Sequence, residues 1–293
     1  MAGKLEYFIK DERIIKDLLA PKSKLIMVLG GADTGKTTLV EGLADFLAKK
    51  KAVGIVDTDL GQSHLGLPTT IGWGKVQKQF TDWQSVAVED FYFTGAFSPI
   101  GSLLPAVTGT KLMTDSALSA CNKVIVDTTG LIAEPAGRVL KQYKIDALSP
   151  DIILALERSQ ELGHILGIIS AMKTPKIYRL PVPEGVEAKS IQQRSQYRFD
   201  RLKAYFTGSH TLEALCDTVG VRFSRDPLKF TPEDLKGRII SFRNEKNADI
   251  SLGMIVDVDA KERKLTIRTP LSKDTKFSTV VIGTVQFESK KKS

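Results

Sequence analysis

LIMVLGGADTGKTTLVEGLADFLAKK, residues 25–50, is the stretch from which the rest of the chain is read. Its first five residues are apolar without a break, as in a strand covered on both faces. GGADTGKT, residues 30–37, follows at once and opens a helical pattern. Strand, glycine-rich loop and helix in that order supply the context that a phosphate-binding P-loop requires. Glycines 30, 31 and 35 let the backbone curl until successive N–H groups face one anion, and the positive end of the following helix adds to that field. A nucleoside triphosphate cradle is therefore expected at Gly30, Gly31, Ala32, Asp33, Thr34, Gly35, Lys36, Thr37 and Thr38. Lys36 is expected to reach the β- and γ-phosphates, and the Thr37 hydroxyl to ligate Mg2+.

Four more β-branched and apolar runs follow, at 53–57, 124–127, 152–156 and 177–180, with longer helical stretches between them. Such spacing predicts crossovers and a parallel sheet. Beyond Pro232 the texture changes to RIISFR, ISLGMIVDVD, KLTIRT and STVVIGTVQF, joined by charged turns. The expected architecture is α/β: a P-loop NTPase core with a mostly parallel sheet flanked by helices over residues 1–228, then a small all-β domain over 229–293.

The second run ends VGIVDTDLGQ, which sets Asp57 at the carboxyl end of a strand and Asp59 just beyond. Open parallel sheets bind ligands at that edge, so both carboxylates belong beside the phosphate loop. One can organise magnesium and the other accept a proton from an attacking hydroxyl, or one can simply cap the loop that follows. A third run ends KVIVDTTGLI and brings Asp127, Thr128, Thr129 and Gly130 to the same edge. Its DxxG pattern suggests a GTPase, but no guanine-reading NKxD follows. QQRSQYRFDRLKAYF, residues 192–206, carries Arg194, Arg198 and Arg201 at spacings of four and three, on one face of a helix. That is either a solvated basic face or a lid whose mutual repulsion a polyphosphate relieves.

The chain's 293 residues suffice for about two domains at ~150 residues each. With 42% hydrophobic and 26% charged residues, 23 Gly, 12 Pro and two Cys, it is neither collagen-like, disordered nor disulfide-stapled. Cys121 and Cys216 lie apart from one another and from the three histidines, so buried thiols in a reducing compartment are expected rather than a zinc cluster. There is neither a bilayer-length apolar run nor a signal-peptide core, so no membrane association and a cytoplasmic location are expected. The net charge of +8 concentrates in residues 187–206 and beyond 228, which suits a polyanionic partner. Part of it is the tail Lys290–Lys292, which reads as a frayed end.

Taken together, these motifs resemble the polynucleotide 5′-hydroxyl kinases related to the cleavage-complex RNA kinase and the ribosomal-RNA-processing kinases. The resemblance rests on GGADTGKT, on DTDLGQ running into SHLGLPTTIG, on the TTG of DTTGLI, on FTGAFSPIGSLLPAVTG at 93–109 and on the lid RSQYRFDRLKAYF. It spans residues 30 to about 208, and the later β meander is similar to the family's C-terminal module. The resemblance implies transfer of the γ-phosphoryl of ATP, with Mg2+, to a nucleic acid with a 5′-hydroxyl end, RNA or DNA. Asp59 is then the general base, Lys36 the phosphate clamp, and Arg194 and Arg198 the lid arginines. Thr37, Asp57 and Thr128 make the metal environment, while Gln62, His64, Thr128, Thr129 and Gly130 face the substrate.

Two departures stand out: Leu131 occupies the place where the family carries tryptophan, and only 24 residues precede the first strand where larger relatives have an N-terminal β domain. Two rivals are an ATP-binding scaffold without turnover and a partitioning-type ATPase. The latter's extra loop lysine is replaced here by Gly31 and Ala32. His64 either touches a substrate phosphate or bonds locally, while His164 and His210 read as structural. Trp73 and Trp83 lie in a turn-rich stretch and stack on a base or pack in the core. The lid, Lys111 and the basic C-terminal domain are candidate nucleic-acid contacts. The sequence names no protein partner.

Overall fold

The computed structural model describes residues 3–224 and 231–287. The boundary read at 228/229 and the Lys290–Lys292 tail lie outside the described residues. Strands β1 (Leu25–Gly30), β2 (Val53–Asp57), β3 (Thr70–Val76), β4 (Val88–Phe93), β5 (Lys123–Asp127), β6 (Ile152–Glu157) and β7 (Lys176–Pro181) form one sheet in the order β4-β3-β2-β5-β1-β6-β7. β2, β5, β1, β6 and β7 run parallel, and β3 and β4 add an antiparallel edge. Helices α1 (Glu12–Leu19), α2 (Lys36–Ala48), α3 (Leu103–Ala120), α4 (Ala136–Leu148) and α5 (Gly163–Leu166) accompany it.

Alternate residues of β1 explain its unbroken apolar run. Ile26 and Val28 share one core with Leu18 of α1 and Leu39 and Leu43 of α2. Leu25, Met27 and Leu29 share the other with Met113 of α3 and Leu140 and Ile145 of α4. Both faces are covered, so neither can be polar.

The stretch around Trp73, read from sequence as turn-rich, is strand β3, and Trp73 is buried in the core. Glycine disguised it. A Cβ on Gly72 would stand 2.5 Å from the Leu65 carbonyl oxygen, and one on Gly74 2.6 Å from that of Ala87, so the strand needs glycines where neighbouring backbone presses in.

A second sheet, of six strands, begins earlier than the expected residue 229. β8 (His210–Leu215) and β9 (Gly220–Phe223) join β10 (Arg238–Arg243), β11 (Asp249–Asp259), β12 (Lys264–Thr269) and β13 (Thr279–Gln286) in the order β8-β12-β11-β10-β13-β9. β8 pairs with β12 from His210 opposite Thr269 to Leu215 opposite Lys264, a partner found only after folding. The short helix α7 (Pro232–Leu235) precedes β10.

Helix α6 (Ile191–Phe206) links the two sheets. Its start is fixed by a reciprocal cap between Ser190 and Gln193. Leu202 and Phe206 at its far end pack with Phe93, Ile239, Leu252 and Val281. A buried ion pair strengthens the same joint: Asp249 accepts from Arg243 Nε at 2.8 Å and Nη2 at 3.1 Å, and from the Phe93 N–H of β4 at 2.9 Å. Arg243→Met should lower stability by about 3–5 kcal/mol, because Asp249 would stay buried without its cation. Denaturant melts would check this, and a loss below ~1 kcal/mol would show the pair to be dispensable.

Candidate active site

The parallel strands end together, and their ends build the site. Asp57 of β2 lies opposite Asp127 of β5, and Asp127 opposite Val28 of β1, immediately before the phosphate loop. Gly35, at φ +84°, turns that loop into α2. Gly30 has no room for a side chain: a Cβ would stand 2.6 Å from Thr34 Oγ1 and 2.9 Å from the Leu156 carbonyl oxygen. The result is a cleft of about 490 Å³. It is lined by Ala32 to Thr38, by Asp57, Asp59, Gln62 and His64, by Asp127 to Leu131, and by Arg194 and Arg198.

Lys36 is almost wholly buried and donates to the Gly31 carbonyl at 2.5 Å. Burial lowers its ammonium pKa, and the charges of Asp127, Asp59 and Asp33 oppose that shift. Thr37 Oγ1 donates to Asp127 Oδ2 at 3.0 Å, while Asp127 Oδ1 is buried with no partner. A hydroxyl and a carboxylate oxygen beside a phosphate cradle are hard donors that fit Mg2+. Among the described residues no group of three His, Cys, Asp or Glu converges on a metal, so such an ion would also need substrate phosphates as ligands.

Two residues expected beside the metal are otherwise engaged. Asp57 accepts the backbone N–H groups of Asp59 at 3.0 Å, His64 at 2.5 Å and Leu65 at 3.1 Å, and so shapes the loop after β2. The Thr128 hydroxyl donates to the Val28 carbonyl at 2.8 Å, tying β5 to β1.

Burial raises Asp57 to about 6, and burial with the neighbouring Asp57 raises Asp127 to about 7. A carboxylate whose folded pKa is raised destabilises the native state progressively as pH climbs from its unfolded value to its folded one. Asp127→Asn should therefore raise the melting temperature of the nucleotide-free protein more at pH 8 than at pH 5. Equal shifts at both pH values would contradict this.

Asp59 Oδ1 accepts the Gly61 and Gln62 N–H groups at 3.0 Å each, fixing the carboxylate on the cleft wall. Gln62 Nε2 also donates to the Arg194 carbonyl at 3.3 Å, and the Tyr197 hydroxyl to the Ser63 carbonyl at 2.7 Å, so α6 is docked on the acidic loop. Arg194 Nη2 holds Asp33 Oδ2 at 2.5 Å. Arg198 lies 5.0 Å over the Phe97 ring, and burial and the charge of Arg194 both lower its pKa. Arg201 turns away and donates to the Gly66 carbonyl.

The His64 ring stacks on Trp83 at 4.9 Å, and Trp83 donates its N–H to Glu41, so that tryptophan is held within the protein. His164 bonds the Ile132 carbonyl at 2.8 Å. Lys111 pairs with Asp115 along α3.

Sequence reading missed Lys141 and Lys144 of α4, both wholly buried behind the site. Lys141 Nζ donates to the Thr129 carbonyl at 2.6 Å, and Lys144 Nζ to Thr58 Oγ1 at 2.8 Å. Burial pushes Lys144 down to about 7 and Lys141 well below its ordinary value. The signal was present: they share the buried face of α4 with Gly137, Leu140, Ile145 and Leu148, where an apolar residue is expected.

The family model described as mRNA cleavage and polyadenylation factor CLP1 P-loop matches residues 30–208. The chain is 30% identical to a polyribonucleotide 5′-hydroxyl-kinase of Methanocaldococcus jannaschii, over 89% of this chain and 85% of that protein. It is 32% identical to one of Pyrococcus abyssi, over 82% and 68% respectively. The solved wild-type Clp1p–Pcf11p complex superposes with a TM-score of 0.72 at 15% identity, over 94% of this chain and 77% of that one, and so shares the fold. With the matched segment running from the phosphate loop through the arginine-bearing helix, the chain belongs to the CLP1 P-loop family.

Proposed function

We propose that this protein is an ATP-dependent polynucleotide 5′-hydroxyl kinase, moving the γ-phosphoryl group of ATP to the 5′-hydroxyl end of a nucleic acid. Relatives named polyribonucleotide kinases favour RNA as the polymer. One observation carries the reading: Lys36, Asp59, Arg194 and Arg198 line a single cleft. A nucleotide-holding scaffold needs the first of these but not a carboxylate and two guanidiniums around the terminal phosphate.

Phosphoryl transfer asks mainly for alignment and for neutralisation of charge on the moving group. The phosphate loop and Lys36 hold the triphosphate. Asp59, fixed by two backbone N–H groups, orients the incoming hydroxyl and accepts its proton as the new P–O bond forms and the bond from the γ-phosphorus to the β,γ-bridging oxygen breaks, releasing ADP. Arg194 and Arg198 meet the charge on the transferring group, Arg194 leaving Asp33 to do so. Thr37 and Asp127 are the residues that would hold Mg2+, which would offset charge on the phosphates.

Incubation with γ-labelled ATP and a 5′-hydroxyl oligonucleotide should yield an end-labelled strand. Bound ATP with no labelled strand would leave the scaffold reading in its place. Binding of a single-stranded end should also weaken about tenfold to twentyfold between 50 and 200 mM salt, as expected for roughly three phosphate contacts. A flat salt response would remove the cationic residues from strand binding.

A further inference from the structure

Lys141 and Lys144 have no task in the reading above, although a polar side-chain nitrogen kept in the interior is costly unless its N–H groups find acceptors. The acceptor of Lys141 is informative. The Thr129 carbonyl belongs to the peptide joining Thr129 to Gly130, which is not among the cis bonds of the chain. In a planar trans peptide the C=O and the N–H point in opposite directions. With the carbonyl drawn to Lys141 of α4, the Gly130 N–H points away from that lysine, and Gly130 itself abuts the phosphate loop. A Cβ on Gly130 would stand 2.7 Å from both the nitrogen and the Cα of Ala32, and both residues line the cleft. Were this peptide flipped, a carbonyl oxygen would face the phosphates and repel them.

We infer that Lys141 is a positioning residue: by holding the Thr129 carbonyl it fixes the Gly130 N–H as a donor to the terminal phosphate of a bound triphosphate. The inference rests on the nucleotide-binding half of the proposed function and not on transfer. Lys144 supplies the control, since it is an equally buried neighbour that bonds Thr58 and leaves Thr129 alone.

The test compares the affinities of ADP and of the non-hydrolysable β,γ-imido analogue of ATP by calorimetry on the full chain, with no nucleic acid present. Lys141→Met should reduce the preference for the triphosphate about tenfold and leave ADP affinity within about twofold. Lys144→Met should keep the preference. An unchanged preference in Lys141→Met overturns the inference. So does a parallel loss of both ligands, which would mark a general structural role, or an equal loss in Lys144→Met, which would mark charge rather than peptide orientation.

Should Lys141→Met not fold, the unaltered protein labelled with 15N-glycine gives a second measurement. Its Gly130 amide proton should move further downfield with the imido analogue than with ADP, and equal shifts overturn the inference. Because neither measurement needs turnover, failure here is separable from failure of the kinase reading.

Discussion

Asp59→Asn should bind ATP as the unaltered protein does and phosphorylate 5′-hydroxyl ends about 10²–10⁴-fold more slowly, the range of a positioned general base. Asn keeps the size and the side-chain oxygen that accepts from Gly61 and Gln62, so the loop after β2 should hold its shape. What it loses is the ability to take a proton. Calorimetry would measure ATP affinity, and single-turnover end-labelling the rate. Wild-type transfer by this variant would remove Asp59 from the role of base. A fall in ATP affinity to match the rate would show instead that Asp59 shapes the nucleotide site.

The second large effect is expected from Arg194→Ala combined with Arg198→Ala. Arginines that meet charge on a transferring phosphoryl group are worth about 10³–10⁵ in rate, so the double variant should lose at least about 10³-fold. Helix α6 should remain in place, because Leu202 and Phe206 anchor its far end against the second sheet. The melting temperature should therefore change little while single-turnover transfer collapses. An unchanged rate would retire the lid proposal. The two arginines differ in their starting positions: Arg194 is paired with Asp33, whereas Arg198 lies over Phe97. Measured singly, Arg194→Ala also frees Asp33 of its partner, so its effect should include a change in nucleotide affinity that Arg198→Ala lacks.

The parts of the fold legible in the letters are those fixed by local rules. The runs at β1, β2 and β5 could be read because each is apolar on both faces and ends at glycine or aspartate, and β6 because it is buried along its whole length; β7 showed only the short run from Ile177 to Leu180. Helix α6 could be read because arginines at helical spacing sit in a pattern with good helix formers. β3 escaped because Gly72 and Gly74 answer to backbone pressing in from neighbours, and β8 because its partner β12 comes only after β9, β10 and β11 in sequence. The surroundings of the two strand-end acids were not legible in the letters. Asp57 and Asp127 both end strands in the sequence, but only the fold gives Asp57 to the loop N–H groups and leaves Asp127 with a buried free oxygen beside Thr37.

By itself the sequence determined that a strand, a curled glycine loop and a helix would present N–H groups, a lysine and a hydroxyl to a polyphosphate, because those residues are contiguous and their geometry follows from backbone dihedrals alone. It determined likewise that acids would stand at the same edge, since strands in a parallel sheet share a direction. Which acid is left free, where the arginines of α6 come to rest, and that two lysines of α4 stand behind the site were decided by tertiary packing. Those outcomes depend on which hydrogen-bond acceptors are brought within reach of residues far apart in the chain, and no local pattern encodes that.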